Sequence, residues 1–405
     1  MAVRSGTREF DVILYGASGF VGELTAQYLA GHAPADCHWA LAGRSREKLE
    51  GVRERLAAVH PRAAEAGVLT ADAGDSEALA RLARQGRVVA TTVGPYIRYG
   101  TRLVAACADA GTDYLDLSGE PEFVDLMYLR HHSRARRTGA RLVHAAGFDS
   151  VPQDLGALHT VEQLPEGVPL TVDACLRTNA RVSGGTFASI MLGLSRADRT
   201  LRAMKARRAA DPRPADRGVH TPLGTVHRRA DLDAWAVPMP TIDAQIVARS
   251  AAALERYGPE FTYRPYVAAP NLPVIAGAAA GLGALFVAAQ VPSVRKFVSA
   301  RLAPGEGPDP QRRARSWFSL RFTGRGGGRR VVTEVAGGDP GYDETARILG
   351  EAALCLAHDE LPGTAGQVTP AVAMGDALIG RLAASGLEFR TLEVTEDAPG
   401  TSAAG

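Results

Sequence analysis

Cysteine is scarce. The 405 residues hold four, Cys37, Cys107, Cys175 and Cys355, far apart and with no CxxC pair. This excludes a disulfide scaffold and a zinc ribbon and points to a reducing cytosol. The ten histidines fall into no HExxH or related ligand spacing, so no metal is expected. Lysine stands only at positions 48, 205 and 296, and arginine carries nearly all the positive charge. Lys and Arg number 46 against 44 acids, and a net charge of +2 offers no field for nucleic acid. Long apolar runs are missing too. The first, FDVILY at 10–15, is too short for a signal-peptide core, and a glycine motif follows it at once. The longest, Val274 to Ala289, has sixteen residues, fewer than the ~20 that span a bilayer.

What is present is, first, an alternation of strands and helices. A β-branched run at 10–16 and further largely apolar runs at 38–43, 67–72, 87–94, 113–119 and 141–147 read as six strands. Helical patterns stand between them: Phe20 to Ala30, Ser45 to Val59, Ser76 to Arg84, Thr101 to Ala110 and Glu122 to Thr138. Strands this apolar belong to a parallel sheet covered on both faces. The expected fold is α/β: a Rossmann domain, that is a doubly wound parallel sheet, over residues 1–160.

After Asp154 the pattern changes. LTVDACLRT (170–178) alternates as a half-exposed strand does, and Ser183 to Thr186 opens a helix expected to reach Arg208. Residues 209–230 read as a surface loop. FSLRFTG (318–324) and RRVVTEVAG (329–337) flank a glycine run and read as a hairpin. Helices over Tyr342 to His358 and Thr369 to Ala384 and a strand over 387–394 complete an α+β domain at 161–395, followed by a disordered tail at 396–405. The uncharged segment 265–294 is either a buried helix of this domain or a membrane-contacting element.

The chemistry starts at Gly16-Ala-Ser18-Gly19-Phe20-Val21-Gly22, where the first strand turns into the first helix. Gly16 permits the tight turn, Gly19 lets a pyrophosphate approach the helix N-terminus, and Gly22 lets helix and strand pack closely. Ser18 offers a hydroxyl to a phosphate. An NAD enzyme carries an acid at the end of the second strand; here stand Arg44 and Ser45, with Lys48 just beyond, which suits a 2′-phosphate. Asp72 closes strand three and can meet the adenine amine or cap the next helix. Thr92, Val93, Gly94, Pro95 and Tyr96 leave strand four and border the crevice where ligands of open α/β sheets bind. Asp149 and Ser150, in the Gly-Phe-Asp-Ser run after strand six, either face that crevice or cap a helix.

GASGFVG, AGRSREKL, VGPYIRYG, the YLDLSGE run and GFDSVPQDLG together resemble the saccharopine dehydrogenase-like oxidoreductases. SGGTFAS, GGDPGY and TPAVAMGDALIGRL extend the resemblance over nearly the whole chain, toward the branch called trans-acting enoyl reductases. The resemblance implies NADP(H), a two-domain fold and reduction of an α,β-unsaturated acyl thioester in polyketide, lipid or glycolipid pathways. Such a reaction needs a donor for the enolate oxygen and a proton for the α-carbon. Tyr96 is the first candidate for the donor, Asp149 for the acid and Ser150 for a relay. Two other functions stay open: a membrane-associated, non-catalytic NADP-binding scaffold, and a C–N dehydrogenase of the saccharopine type.

Charge is unevenly placed. Residues 195–230 hold ten Lys/Arg and three Asp, and residues 295–330 hold ten Lys/Arg and two acids. Both stretches flank the uncharged segment. Cations there suit an acidic acyl carrier protein or polyketide synthase partner, or the anionic inner face of the plasma membrane. A cytoplasmic protein with peripheral membrane contact is therefore expected.

Overall fold

The computed structural model describes residues 8–180, 191–211, 216–239, 241–290 and 307–396. Six parallel strands form the first sheet: β1 (Phe10–Tyr15), β2 (Trp39–Gly43), β3 (Gly67–Thr70), β4 (Gly86–Thr91), β5 (Asp113–Asp116) and β6 (Arg141–Val143). Their order is β6-β5-β4-β1-β2-β3, with Leu14 of β1 opposite Leu41 of β2 and Ala90 of β4. The chain reverses direction across the sheet between β1 and β4, and the carboxyl ends of these two strands therefore define the crevice. Alternate residues of β1 enter different cores: Val12 and Leu14 one, Ile13 and Tyr15 the other. This is the doubly wound arrangement read from the sequence.

One contribution to this sheet comes from far along the chain. Strand Gly366–Val368 pairs in parallel with β6, Gln367 opposite Leu142. Helix Asp343–His358 packs against the first helix, Phe20–His32, where the Tyr28 hydroxyl donates to Glu351 Oε1 at 2.6 Å. The stretch 161–395 thus supplies both a second sheet and part of the first.

The second sheet runs in the order Glu388–Glu396, Arg329–Gly337, Phe318–Gly326, Leu170–Thr178, Glu260–Ala269, Ala234–Pro238, His227–Arg229, with Gly218–His220 beside Glu260–Ala269. The hairpin is present and turns through Gly327 and Gly328, whose φ values of +57° and +74° suit a two-residue loop. Helix Val151–Val161 crosses this sheet; a Cβ on Gly156 would lie 2.3 Å from the Phe322 ring, so only glycine lets helix and sheet approach.

Several expectations change. Strands Gly218–His220 and His227–Arg229 lie in what reads as loop, because short polar edge strands leave little periodicity. Of the helix expected from 183 to 208, the part before 191 lies outside the described residues, and the rest is interrupted at Ser195–Arg196 before Ala197–Ala210. The helix expected from Thr369 to Ala384 is two, broken before Gly375 at φ +45°. The tail from 397 onward lies outside the described residues, and Glu396 ends the last strand. The segment 265–294 is not a buried helix. It begins in strand Glu260–Ala269 and continues as helix Leu272–Gln290, most of whose side chains are exposed. Among the described residues, no helix is long and apolar enough to cross a membrane.

Candidate functional site

The glycine turn is a close-fitting cradle. Gly16 has φ +93°, and a Cβ there would lie 2.6 Å from Val93 Cγ2 and 2.7 Å from Thr92 Oγ1. Thr92 in turn donates its hydroxyl to the Gly16 carbonyl at 3.2 Å. A Cβ on Gly22 would sit 2.1 Å from that same carbonyl, so the first helix must begin on glycine contact. Ser18 and Gly19 are exposed at the helix N-terminus, where unpaired N–H groups favour a phosphate. Phe20 is half-buried, and its ring already has neighbours. Its ring meets Tyr342 edge-on at 5.2 Å, and the Arg313 guanidinium lies 5.4 Å above it. Arg313 is held by Asp343 at 2.9 Å. Tyr342, Arg313 and Asp343 carry no local sequence signal for these contacts.

Arg44 is exposed and has no ion-pair partner among the described residues, and Lys48 is likewise exposed. Arg46 is not equivalent, because Glu50 binds it at 3.3 Å. Ser45 accepts the Lys48 amide at 3.4 Å and caps the second helix, Arg46–Val59. Asp72 Oδ1 accepts the Gly74 amide at 2.7 Å, an Asx turn, while Asp75 caps the helix that follows. The cradle, the free cations and the exposed helix terminus fit an NADP(H) molecule, whose 2′-phosphate Arg44 would hold.

The loops leaving β4, β5 and β6 are tied together. Glu120 receives the amides of Tyr96 and Ile97 at 2.9 and 3.0 Å. Asp116 receives the amides of Ser118 and Ala145 and meets His144 Nδ1 at 2.6 Å, with both side chains fully buried. Tyr96 is buried within this mesh. Its hydroxyl donates to the Thr91 carbonyl and accepts the Leu117 amide, each at 3.2 Å, and burial raises its pKa well above the ordinary value. Both partners of the phenol are thus backbone groups, which argues against its serving an enolate. Ser150 is also engaged: its hydroxyl, fully buried, donates to the Ala145 carbonyl at 2.7 Å and does not cap the helix that follows.

Asp149 differs. It is half-buried, and its carboxylate stands over Gly119, where a Cβ would lie 3.3 Å from Oδ2. No described residue hydrogen-bonds it, and it does not cap the Val151–Val161 helix. Burial first, then the charge of Asp243, pushes its pKa up to about 6. Asp243 begins helix Ile242–Ala253 on the second sheet's side and accepts hydrogen bonds from Thr241 and, at 3.1 Å, from the Tyr263 hydroxyl. Burial pushes it up to about 6 as well. Sequence reading missed Asp243 and Tyr263, because an Asp in a first helical turn looks like an ordinary dipole partner.

At the opposite, amino-terminal edge of the sheet, Asp11, Cys37 and His358 bring ligand atoms within 4.8 Å of one another. The Asp11 carboxylate is already engaged there by the His38 amide at 3.0 Å and Arg87 at 3.2 Å.

The saccharopine dehydrogenase NADP binding domain matches residues 12–143 as a family model. A Mycobacterium tuberculosis protein provisionally assigned by name to the trans-acting enoyl reductases is 40% identical, over 95% of this chain and 98% of its own. The trans-acting enoyl reductase of Mycobacterium bovis is 37% identical over 96% and 99%. That of Mycobacterium ulcerans is 35% identical over 95% and 98%. Among solved structures, apo saccharopine dehydrogenase (L-Glu forming) of Saccharomyces cerevisiae superposes with a TM-score of 0.56 at 12% identity, covering 95% of this chain and 100% of that chain. That last likeness concerns the fold alone.

Proposed function

The chain belongs to the saccharopine dehydrogenase-like oxidoreductases, with the mycobacterial trans-acting enoyl reductases as relatives over nearly its full length, and from that premise we propose that it reduces the C=C bond of an α,β-unsaturated acyl thioester. It is an NADP-dependent oxidoreductase. When bound, the dinucleotide supplies the hydride for the β-carbon. The chain's own part begins with position: the glycine turn would receive the cofactor's pyrophosphate and Arg44 its 2′-phosphate, and the mesh around Glu120 and Asp116 fixes the loops beside them. Asp149 then delivers a proton to the α-carbon, and it is replenished from solvent because it is only half-buried.

The observation that carries this reading is the carboxyl of Asp149. It stands at the carboxyl ends of the strands without a hydrogen-bond partner among the described residues, and its pKa is pushed up to about 6. A carboxyl kept near neutral pH at a ligand crevice is a general acid held ready.

The thioester is proposed to arrive on an acidic acyl carrier protein or a polyketide synthase, supported by the two basic stretches, and its product to serve assembly of a lipid or glycolipid. We also propose a cytoplasmic location with peripheral contact on the inner face of the plasma membrane, supported by the exposed apolar helix Leu272–Gln290.

The test is turnover. The purified protein, NADPH and a short 2-enoyl thioester should yield the saturated thioester, with deuterium from labelled NADPH on the β-carbon. NADPH consumed only with an imino acid would make it a C–N dehydrogenase. No consumption with enoyl thioesters, free or carrier-bound, would reduce it to a nucleotide-binding scaffold.

A further inference from the structure

Helix Leu272–Gln290, LPVIAGAAAGLGALFVAAQ, carries no charge and is apolar around its whole circumference. Leu272, Leu282, Phe286 and Val287 are 53%, 55%, 46% and 64% exposed. Ile275 and Leu285 are half-buried, and of its described side chains only Ala289 is buried. Its first turn is capped locally, and its last residue is tied to another part of the chain. Asn271 Oδ1 accepts the Val274 amide at 3.0 Å, and Gln290 Nε2 donates to the Leu194 carbonyl at 3.0 Å.

A helix lying on a protein shows one apolar stripe, whereas a helix that is hydrophobic all round needs apolar surroundings on every side. A groove on a partner protein would cover one face and leave the others in water. Hydrocarbon covers them all. Charge selects the kind of hydrocarbon. Three residues after Leu194 begins helix Ala197–Ala210, whose Ala203 and Arg207 are buried. Its Leu201, Lys205 and Arg208 follow one another at i, i+4 and i+7 and are exposed. Arg199, Lys205 and Arg208 have no acidic partner among the described residues. In the sequence, Arg295, Lys296 and Arg301 follow the apolar helix. Exposed cations beside the Gln290 end of an uncharged apolar helix match an anionic headgroup layer over an acyl interior.

We propose that Leu272–Gln290 inserts into the acyl layer of an anionic bilayer, with the neighbouring cations among the headgroups. This rests on the membrane part of the reading above and is independent of the reaction. At 1.5 Å per residue the helix is roughly 28 Å long. It enters obliquely into one leaflet and does not cross. Insertion also gives the exposed leucines and phenylalanine an apolar environment, which water denies them.

The test uses the full-length protein and vesicles of phosphatidylcholine, with or without phosphatidylglycerol. F286W reports insertion: its emission, relative to wild type, should shift to the blue and be quenched by brominated acyl chains. The triple variant L282S/F286S/V287S should lower the fraction floating with anionic vesicles at least ~tenfold. These side chains are exposed, so its melting temperature and NADPH affinity should match wild type. Flotation without quenching would overturn insertion and leave peripheral contact standing. No flotation of wild type would overturn both. A dimer in lipid-free solution that the triple variant abolishes, with no flotation, would assign the helix to a second copy and overturn the proposal.

Discussion

The Tyr96 hydroxyl accepts the Leu117 amide and donates to the Thr91 carbonyl, both at 3.2 Å, and so ties the loop after β4 to the end of β5. One phenol therefore satisfies two backbone groups. Tyr96→Phe would leave both unmet inside the protein, at a cost of about 1–3 kcal/mol. The melting temperature should fall, while turnover of folded enzyme should stay within a few-fold of wild type. A rate loss of ~10² at an unchanged melting temperature would instead put the phenol on the substrate.

Asp149 carries the opposite expectation. Asp149→Asn keeps the shape and removes the proton, so turnover should fall ~10²–10⁴-fold with NADPH affinity intact. An acid must be protonated to act, and this one loses its proton as pH rises past about 6. The wild-type rate should therefore decline above that pH. The residual rate of the Asn variant should show no such limb. A variant with wild-type turnover would take Asp149 out of the reaction.

How much of this was legible in the sequence depends on the range of the interaction. The six strands, their helices and the glycine turn follow from neighbours along the chain, and FDVILYGASG shows strand, turn and helix start within ten residues. Strand Gly366–Val368 is three residues long and finds its partner at Arg141–Val143, so no local pattern announces it. The fate of a hydroxyl is equally non-local. Tyr96 and Ser150 look like reactive groups in sequence, and only the Leu117 amide and the Ala145 carbonyl show that they are not free. Asp149 keeps its candidacy because nothing comes to meet it. For Leu272–Gln290 the sequence gives apolarity, but burial depends on what the rest of the chain leaves uncovered.

Arg44 is exposed and without an ion-pair partner among the described residues, at the end of β2 where a 2′-phosphate would lie. A charge-assisted contact is worth ~1.5–3 kcal/mol, so Arg44→Ala should weaken NADPH about ten- to a hundred-fold. NADH binding should barely change. Arg46→Ala is the control, because Glu50 already occupies that guanidinium. Equal losses for both cofactors in Arg44→Ala would show that it does not read the phosphate.

The last prediction concerns Asp154, which sits where helices Val151–Val161 and Ile242–Ala253 meet the turn at Thr369. Its Oδ1 accepts from Ser250 at 2.5 Å and its Oδ2 from the Ala371 amide at 2.8 Å, and Ser250 also meets the Thr369 hydroxyl at 2.6 Å. These bonds favour the carboxylate, but burial outweighs them and pushes the pKa up to about 6 from the ordinary 3.8. A raised folded-state pKa means that the native protein holds a proton the unfolded chain has released. The stability from that proton is complete below the ordinary value. It is lost as pH rises toward about 6, and the loss levels off beyond. Asp154→Asn cannot ionise, yet it preserves the contacts: its carbonyl accepts the Ala371 amide and its amide donates to Ser250, which turns to Thr369. Asp149 and Asp243 also carry raised pKa values, but they are common to both proteins and cancel in the difference. The melting temperature of Asp154→Asn should therefore gain on wild type as pH goes from about 4 to about 6, and then hold a fixed margin. A margin constant across that range would mean that Asp154 is ionised throughout, with its two hydrogen-bond partners, Ser250 and Ala371, outweighing burial.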